Sequence, residues 1–95
     1  MKFVWSKQAK DDLDLILLQL NRISPKFSAD FDEKVRSTLD SIRIFPKSGR
    51  IIPETQNINL REKLVGKYRL MYYIQSENQI EILGIIHGSR HFTPN

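Results

Sequence analysis

The chain has 95 residues, no cysteine and a formal net charge of +4, from 15 Lys and Arg against 11 Asp and Glu. That length suits one domain, expected over residues 1–95, with a thin stability margin. Disulfides and thiolate metal sites are excluded, as a reducing cytoplasm favours. No apolar run reaches the roughly 18 residues of a membrane span, and the opening MKFVWSKQAKDD turns charged too early for a secretion signal.

Lys2–Trp5 reads as a short strand and Ser6 as a helix N-cap. Ala9, Leu13, Ile16, Leu17 and Leu20 follow at helical spacing, predicting an amphipathic helix to about Asn21. Ser24-Pro25 restarts a helix after a joint of about three residues, and Phe27, Phe31, Val35, Leu39 (or Thr38), Ile42 and Phe45 carry its apolar stripe to the stop at Pro46. Lys47–Asn59 reads as a loop of about a dozen residues, long enough to suggest function. Leu60–Leu64, Tyr68–Gln75 and Ile80–His87 are rich in β-branched and aromatic residues, separated by turns at Gly66 and Ser76-Glu77-Asn78. The expected fold is α+β in the order β-α-α-β-β-β, a helical hairpin on one face of an antiparallel sheet.

Strand alternation then sorts the side chains. Leu60, Glu62 and Leu64 fall on one side and Arg61 and Lys63 on the other; Tyr68, Leu70, Tyr72 and Ile74 oppose Arg69, Met71 and Tyr73. With the apolar sets facing the helices, Arg61, Lys63 and Arg69 share the open face, and Glu62 is assigned to the sheet edge. The last strand is apolar on both sides, which makes it central; His87 leaves it with Leu83 and Ile85 unless a bulge intervenes. The outcome is a basic surface of Arg61, Lys63, Arg69, His87 and Arg90, with Arg50 brought over by the loop. Arginine forks suit phosphate, and the net charge also invites a polyanion. Cutting RNA through its 2′-hydroxyl further needs a base, an acid and charge stabilisation. Glu54 or Glu62 can be the base, His87 or His91 the acid or base, and Arg61, Arg69 and Arg90 the stabilising charges. The plain alternatives are an Arg69–Glu81 pair, a structural His87, a surface Glu62 and packing roles for Tyr68, Tyr72 and Tyr73. Two histidines without further well-spaced ligands suggest no metal, and no phosphate-cradling glycine loop or Ser-His-Asp set is present.

Trp5-Ser6, Ala9, Asp11-Asp12-Leu13 and Ile16 resemble the opening of RelE/ParE toxins. Phe45-Pro46-Lys47-Ser48-Gly49-Arg50 resembles their helix-ending Pro-x-x-Gly element, Leu60-Arg61-Glu62 and Tyr68-Arg69-Leu70-Met71-Tyr72 their Leu-Arg and Tyr-Arg-x-x-Tyr strands, and Ile86-His87-Gly88-Ser89-Arg90 their His-x-x-Arg ending. The four matches are colinear from about Phe3 to Arg90. The resemblance implies an antitoxin that neutralises the chain in a hetero-oligomer, action in the cytoplasm, no membrane partner and no cofactor. RelE-like members cleave mRNA on the ribosome; ParE-like members poison DNA gyrase and are not known as nucleases. By RelE-like analogy Arg61 and Arg69 hold phosphate, His87 moves a proton, Glu54 or Glu62 is the base, and Arg50, Lys63, Tyr73, His91 and Phe92 contact the target. The second helix lacks a lysine cluster, the tail lacks a tyrosine, and the His-Gly-x-Arg ending looks closer to ParE-like sequences. Gyrase poisoning is the favoured expectation, ribosome-dependent mRNA cleavage the alternative, and a degenerate toxin that only binds antitoxin the third.

Overall fold

Two serines set the helix ends in the computed structural model, which describes residues 1–92; the last three residues of the expected domain lie outside that range. Ser6 Oγ accepts from the Ala9 N–H at 3.0 Å and opens α1, Lys7–Ile23. Ser24 alone joins α1 to α2, Pro25–Ile44, where three residues were expected. Its N–H donates to the Leu20 carbonyl (2.9 Å) and its Oγ accepts from the Lys26 N–H (3.2 Å), so it ends one helix and caps the next. Pro25 occupies the first helical position, where its missing N–H costs nothing.

The sheet runs in the order β1 (Lys2–Trp5), β5 (Gln79–His87), β4 (Tyr68–Ser76), β3 (Leu60–Val65) and β2 (Arg50–Ile51). The expected meander is present, and β5 is internal. Two features were not legible. β1 pairs with β5 in parallel, because the helical hairpin and the other strands intervene between them. The expected loop also contains a 3₁₀ turn, Pro46–Ser48, and the two-residue β2. Both helices cover one sheet face, where Ala9, Ile16, Phe31, Val35 and Ile42 pack on Val65, Leu70, Tyr72, Ile80, Ile82 and Ile85. Removing this apolar surface from water is the main force holding the layers together. Phe27 and Phe45, expected on the α2 stripe, lie at its ends and remain exposed.

The faces of β3 are the reverse of those expected. Gly66, with φ 58°, and Lys67 make a two-residue turn into β4, and a tight turn fixes strand register. Val65 thereby opposes Tyr68. Directly opposed residues share a face, so Arg61, Lys63 and Val65 join Tyr72, Leu70 and Tyr68 on the helix side. Leu60, Glu62 and Leu64 join Tyr73, Met71 and Arg69 on the open side, and Leu64 is 66% exposed. Arg61 and Lys63 therefore do not share a face with Arg69.

A bulge at Leu83 makes a second correction. Ile82 opposes Tyr72 and Gly84 opposes Met71, with Leu83 unpaired between them. His87 consequently opposes Tyr68 at the rim of the helix side, away from the open face. α1 satisfies the backbone groups freed by the bulge: Ser6 Oγ donates to the Leu83 carbonyl (3.0 Å) and Asp12 accepts from the Ile85 N–H (2.9 Å).

Candidate functional site

Arg69 lies on the open face of β4 yet is only 4% exposed, and Glu62 beside it only 2%. Charges removed from water require partners, and these two have several. Arg69 Nε donates to Glu62 Oε1 at 2.7 Å. Its Nη1 donates to Glu54 Oε2 (2.9 Å) and to the Arg90 carbonyl (2.7 Å). Its Nη2 donates to Glu54 Oε1 (2.7 Å) and stands 2.7 Å from Glu62 Oε1. Arg50 Nε donates to the other Glu62 oxygen at 2.6 Å. The result is a chain Arg50–Glu62–Arg69–Glu54 of alternating charge. Glu62 is its buried centre rather than an edge residue, because β2 continues the sheet beyond β3.

The tail is fastened to the same carboxylate. After β5, the Gly88 N–H donates to the Lys67 carbonyl (2.8 Å) and the Arg90 N–H to the His87 carbonyl (2.9 Å). A Cβ at position 88 would lie 3.1 Å from that Lys67 oxygen. This turn sends Arg90–Phe92 back over the open face, where the Phe92 N–H donates to Glu54 Oε2 (2.8 Å) and His91 Nδ1 stands 3.6 Å from the same oxygen. The hydrogen bonds from Arg69, then that from Phe92, hold the Glu54 carboxyl down to about 2. The paired carboxylates hold the Arg69 guanidinium above its ordinary value. Arg50, Pro53, Glu54, Arg69 and Gly88–His91 line a depression of about 260 Å³, and Arg90 donates no side-chain hydrogen bond among the described residues.

The remaining basic residues hold the chain itself. Arg61 donates to the carbonyls of Ile58 (2.7 Å), Gly49 (3.1 Å) and Lys47 (3.4 Å). Lys63 Nζ donates to Ser41 Oγ (2.7 Å) and Ser48 Oγ (3.3 Å), its stem lying along the helix side of β3. Tyr72 donates to the Pro46 carbonyl (2.6 Å) and accepts from the Gly49 N–H (3.0 Å), and burial pushes its phenol above the ordinary value. Only glycine fits at 49, since a Cβ would stand 2.6 Å from both the Glu62 carbonyl and the Tyr72 hydroxyl.

Of the residues singled out from the sequence, Arg50, Glu54, Glu62, Arg69, Arg90, His91 and Phe92 come together. Arg61 and Lys63 lie on the opposite side of the sheet. His87 sits edge-on to Tyr68, ring centroids 5.9 Å apart, with its Nδ1 2.8 Å from Ser89 Oγ. Tyr73 is half-buried on the open face between Leu60 and Glu81 and does not line the depression. Sequence reasoning missed the roles of Ser6 and Asp12 at the bulge and of Tyr72 at the turn. Asp12 did carry a signal, as a charge between Ala9 and Ile16 on the buried stripe of α1. Among the described residues, no three His, Asp or Glu side chains gather as metal ligands, and no helix is long and apolar enough to cross a membrane.

The family model for the ParE toxin of type II toxin–antitoxin systems, parDE, matches residues 3–92. The chain belongs to the ParE toxin family. This ParE toxin is thus the toxin component of a type II toxin–antitoxin system, within the RelE/ParE superfamily, and membership implies an antitoxin partner. No curated protein sequence matches it. The toxin has the fold of a chain of the chromosomal ParDE toxin–antitoxin system from P. aeruginosa, with TM-score 0.70, 18% identity and coverage of 92% of this chain and 95% of that one. A YoeB/ParE toxin from Agrobacterium tumefaciens gives 0.68 at 17% identity, covering 97% of this chain and 100% of the other. The YoeB dimer from Staphylococcus aureus gives 0.67 at 18% identity, covering 97% and 98%. In this ParE toxin the motif residues Gly49, Arg61 and Tyr72 lock the turn after α2, and Arg69 locks the tail.

Proposed function

We propose that this toxin arrests growth by binding and poisoning DNA gyrase in the cytoplasm, without itself cutting nucleic acid, until its antitoxin neutralises it. One observation carries the reading: the groups that RNA cleavage would use are occupied or apart. Glu54, held down to about 2, has little proton affinity at neutral pH, where a general base works best with a pKa near the operating pH. Arg69 spends its guanidinium donors on Glu62, Glu54 and the Arg90 carbonyl. Arg61 and His87 face the helix side. A protein-binding toxin needs none of these groups free, and the ParE family match favours the same reading. Inducing the toxin without antitoxin should stop growth and produce gyrase-dependent DNA breaks while transcripts stay intact. Undisturbed growth would instead favour a degenerate toxin.

A second reading, ribosome-dependent mRNA cleavage, has its own support. Arg50, Glu54, Arg69, Arg90 and His91 surround one depression, and the similar structures include a YoeB/ParE toxin and a YoeB dimer. In this reading Arg50 and Arg90 hold phosphate, His91 moves a proton, Arg69 positions the Glu54 carboxylate, and Phe92 helps seat the substrate. Cleavage of mRNA only in the presence of ribosomes, abolished by Arg90→Ala, would establish it and displace the gyrase reading.

A further inference from the structure

The apolar stripe of α2 runs past the core. Ile44 and Phe45 close the helix with 70% and 69% of their surface exposed, although Phe45 follows the buried Ile42 at core spacing. Phe45 is the C-cap, in extended conformation (φ −133°, ψ 91°), so its ring leaves the helix axis and the protein does not cover it. Beside it is a groove of about 600 Å³ with almost wholly apolar walls. One wall is Phe45–Ser48, the corner where α2 meets the 3₁₀ turn; the other is Ile74, Ser76 and Glu77, the end of β4 and the first residue of the turn after it. Arg69 stands near the opposite end of that strand, so this groove and the carboxylate–arginine site can be tested separately.

Charge indicates what fills the groove. Lys47 stands on one wall and Glu77 on the other, and neither side chain takes part in an ion pair; those present among the described residues involve other groups. A second copy related by a two-fold axis through the groove would bring each Phe45 ring to the partner's groove and each Lys47 to the partner's Glu77, which would make one patch complementary to itself. An acidic or a basic partner would satisfy only one of these charges; a second copy satisfies both. A phenyl ring in an apolar slot ringed by charge is also the usual form of an interface anchor.

We infer that the Phe45–Glu77 groove is a homodimer interface between two copies of this toxin. A groove lined by so few residues supports at most a weak, reversible dimer, at or below the roughly 1,200 Å² that specific interfaces bury, with a dissociation constant expected on the order of 10 µM.

Sedimentation equilibrium of the purified chain, at loadings from about 1 to about 500 µM to bracket that constant, tests this. The wild type should pass from the monomer mass to twice that mass. Phe45→Glu should remain monomeric, with a far-UV spectrum and urea midpoint near wild type, as suits an exposed position. Lys47→Glu and Glu77→Lys should each weaken self-association at least tenfold, since each puts two pairs of like charges together. An equimolar mixture of these two variants should regain dimers, because every rim contact in the mixed pair joins opposite charges. The inference is overturned by a wild type that stays monomeric throughout, by a dimer that Phe45→Glu leaves intact, or by a mixture no tighter than its components. A monomeric wild type whose Phe45→Glu variant loses antitoxin binding would assign the groove to the antitoxin and overturn it equally. None of these outcomes depends on whether gyrase or mRNA is the target.

Discussion

Arg69→Met keeps most of the aliphatic stem and removes the guanidinium. Glu62, whose side chain is 1% exposed, would then keep only Arg50, itself 65% exposed, and the Arg90 carbonyl would lose its donor. Removing one partner of a buried ion pair costs about 3–5 kcal/mol, because the other charge stays buried. A chain of 95 residues has roughly 5–14 kcal/mol in all, so this one substitution takes a large share of it. The melting temperature should fall by about 12 °C at least, at about 4 °C or more per kcal/mol for a domain this size. Adding Glu62→Leu removes the stranded charge, and the double variant should be more stable than the sum of the single losses by about 2 kcal/mol or more. Urea unfolding at pH 7, with the slope checked for constancy, measures all four corners of the cycle. If Arg69→Met lies within about 1 kcal/mol of wild type and is additive with Glu62→Leu, the arginine is not committed to the fold. It would then be available to a substrate phosphate.

The Glu54 carboxyl is held from 4.5 down to about 2, so its stabilisation is complete above about 4.5 and drains away as pH falls toward 2. Acid unfolding followed by circular dichroism should have a shallower slope across that interval in Glu54→Gln, and superimposable slopes would contradict the pairing. Tyr72→Phe removes the donor to the Pro46 carbonyl and leaves the buried Gly49 N–H without its acceptor. It should cost about 1–3 kcal/mol and speed hydrogen exchange at Gly49. The raised phenol of Tyr72 also means that stability falls as pH climbs above the ordinary value of 10.0, and the phenylalanine variant should lose part of that fall. Gly49→Ala drives a methyl to 2.6 Å from a carbonyl oxygen and should cost about 2 kcal/mol or more. Gly66→Ala, at φ +58° but with nothing within 4 Å, should cost roughly 1 kcal/mol; thermal melts that rank the two in the other order would refute the clash.

Helix limits, strand positions and the meander were legible because serine caps, proline and apolar periodicity are local signals. Face assignment was less so, since it depends on register. The Gly66-Lys67 turn reverses β3 and the Leu83 bulge reverses the end of β5, and together they move Arg61, Lys63 and His87 to the helix side. Leu64 misled because a leucine on the strand suggests the core, while Val65, at the strand's last position, is the residue that is buried. Glu62 spoiled the expected pattern for a physical reason: it is the buried counter-charge of Arg69, a long-range pairing visible only once the register is known. The family motifs were easy to locate and hard to interpret, since a charged or polar residue that fastens a turn looks the same in sequence as one that binds a target.

The most direct test of the central claim uses the purified toxin with purified gyrase and relaxed plasmid, scored for supercoiling and for trapped double-strand breaks. The account predicts loss of supercoiling and accumulation of breaks, both reversed by the antitoxin. Full supercoiling activity under saturating toxin, from a preparation that still stops growth, would contradict it.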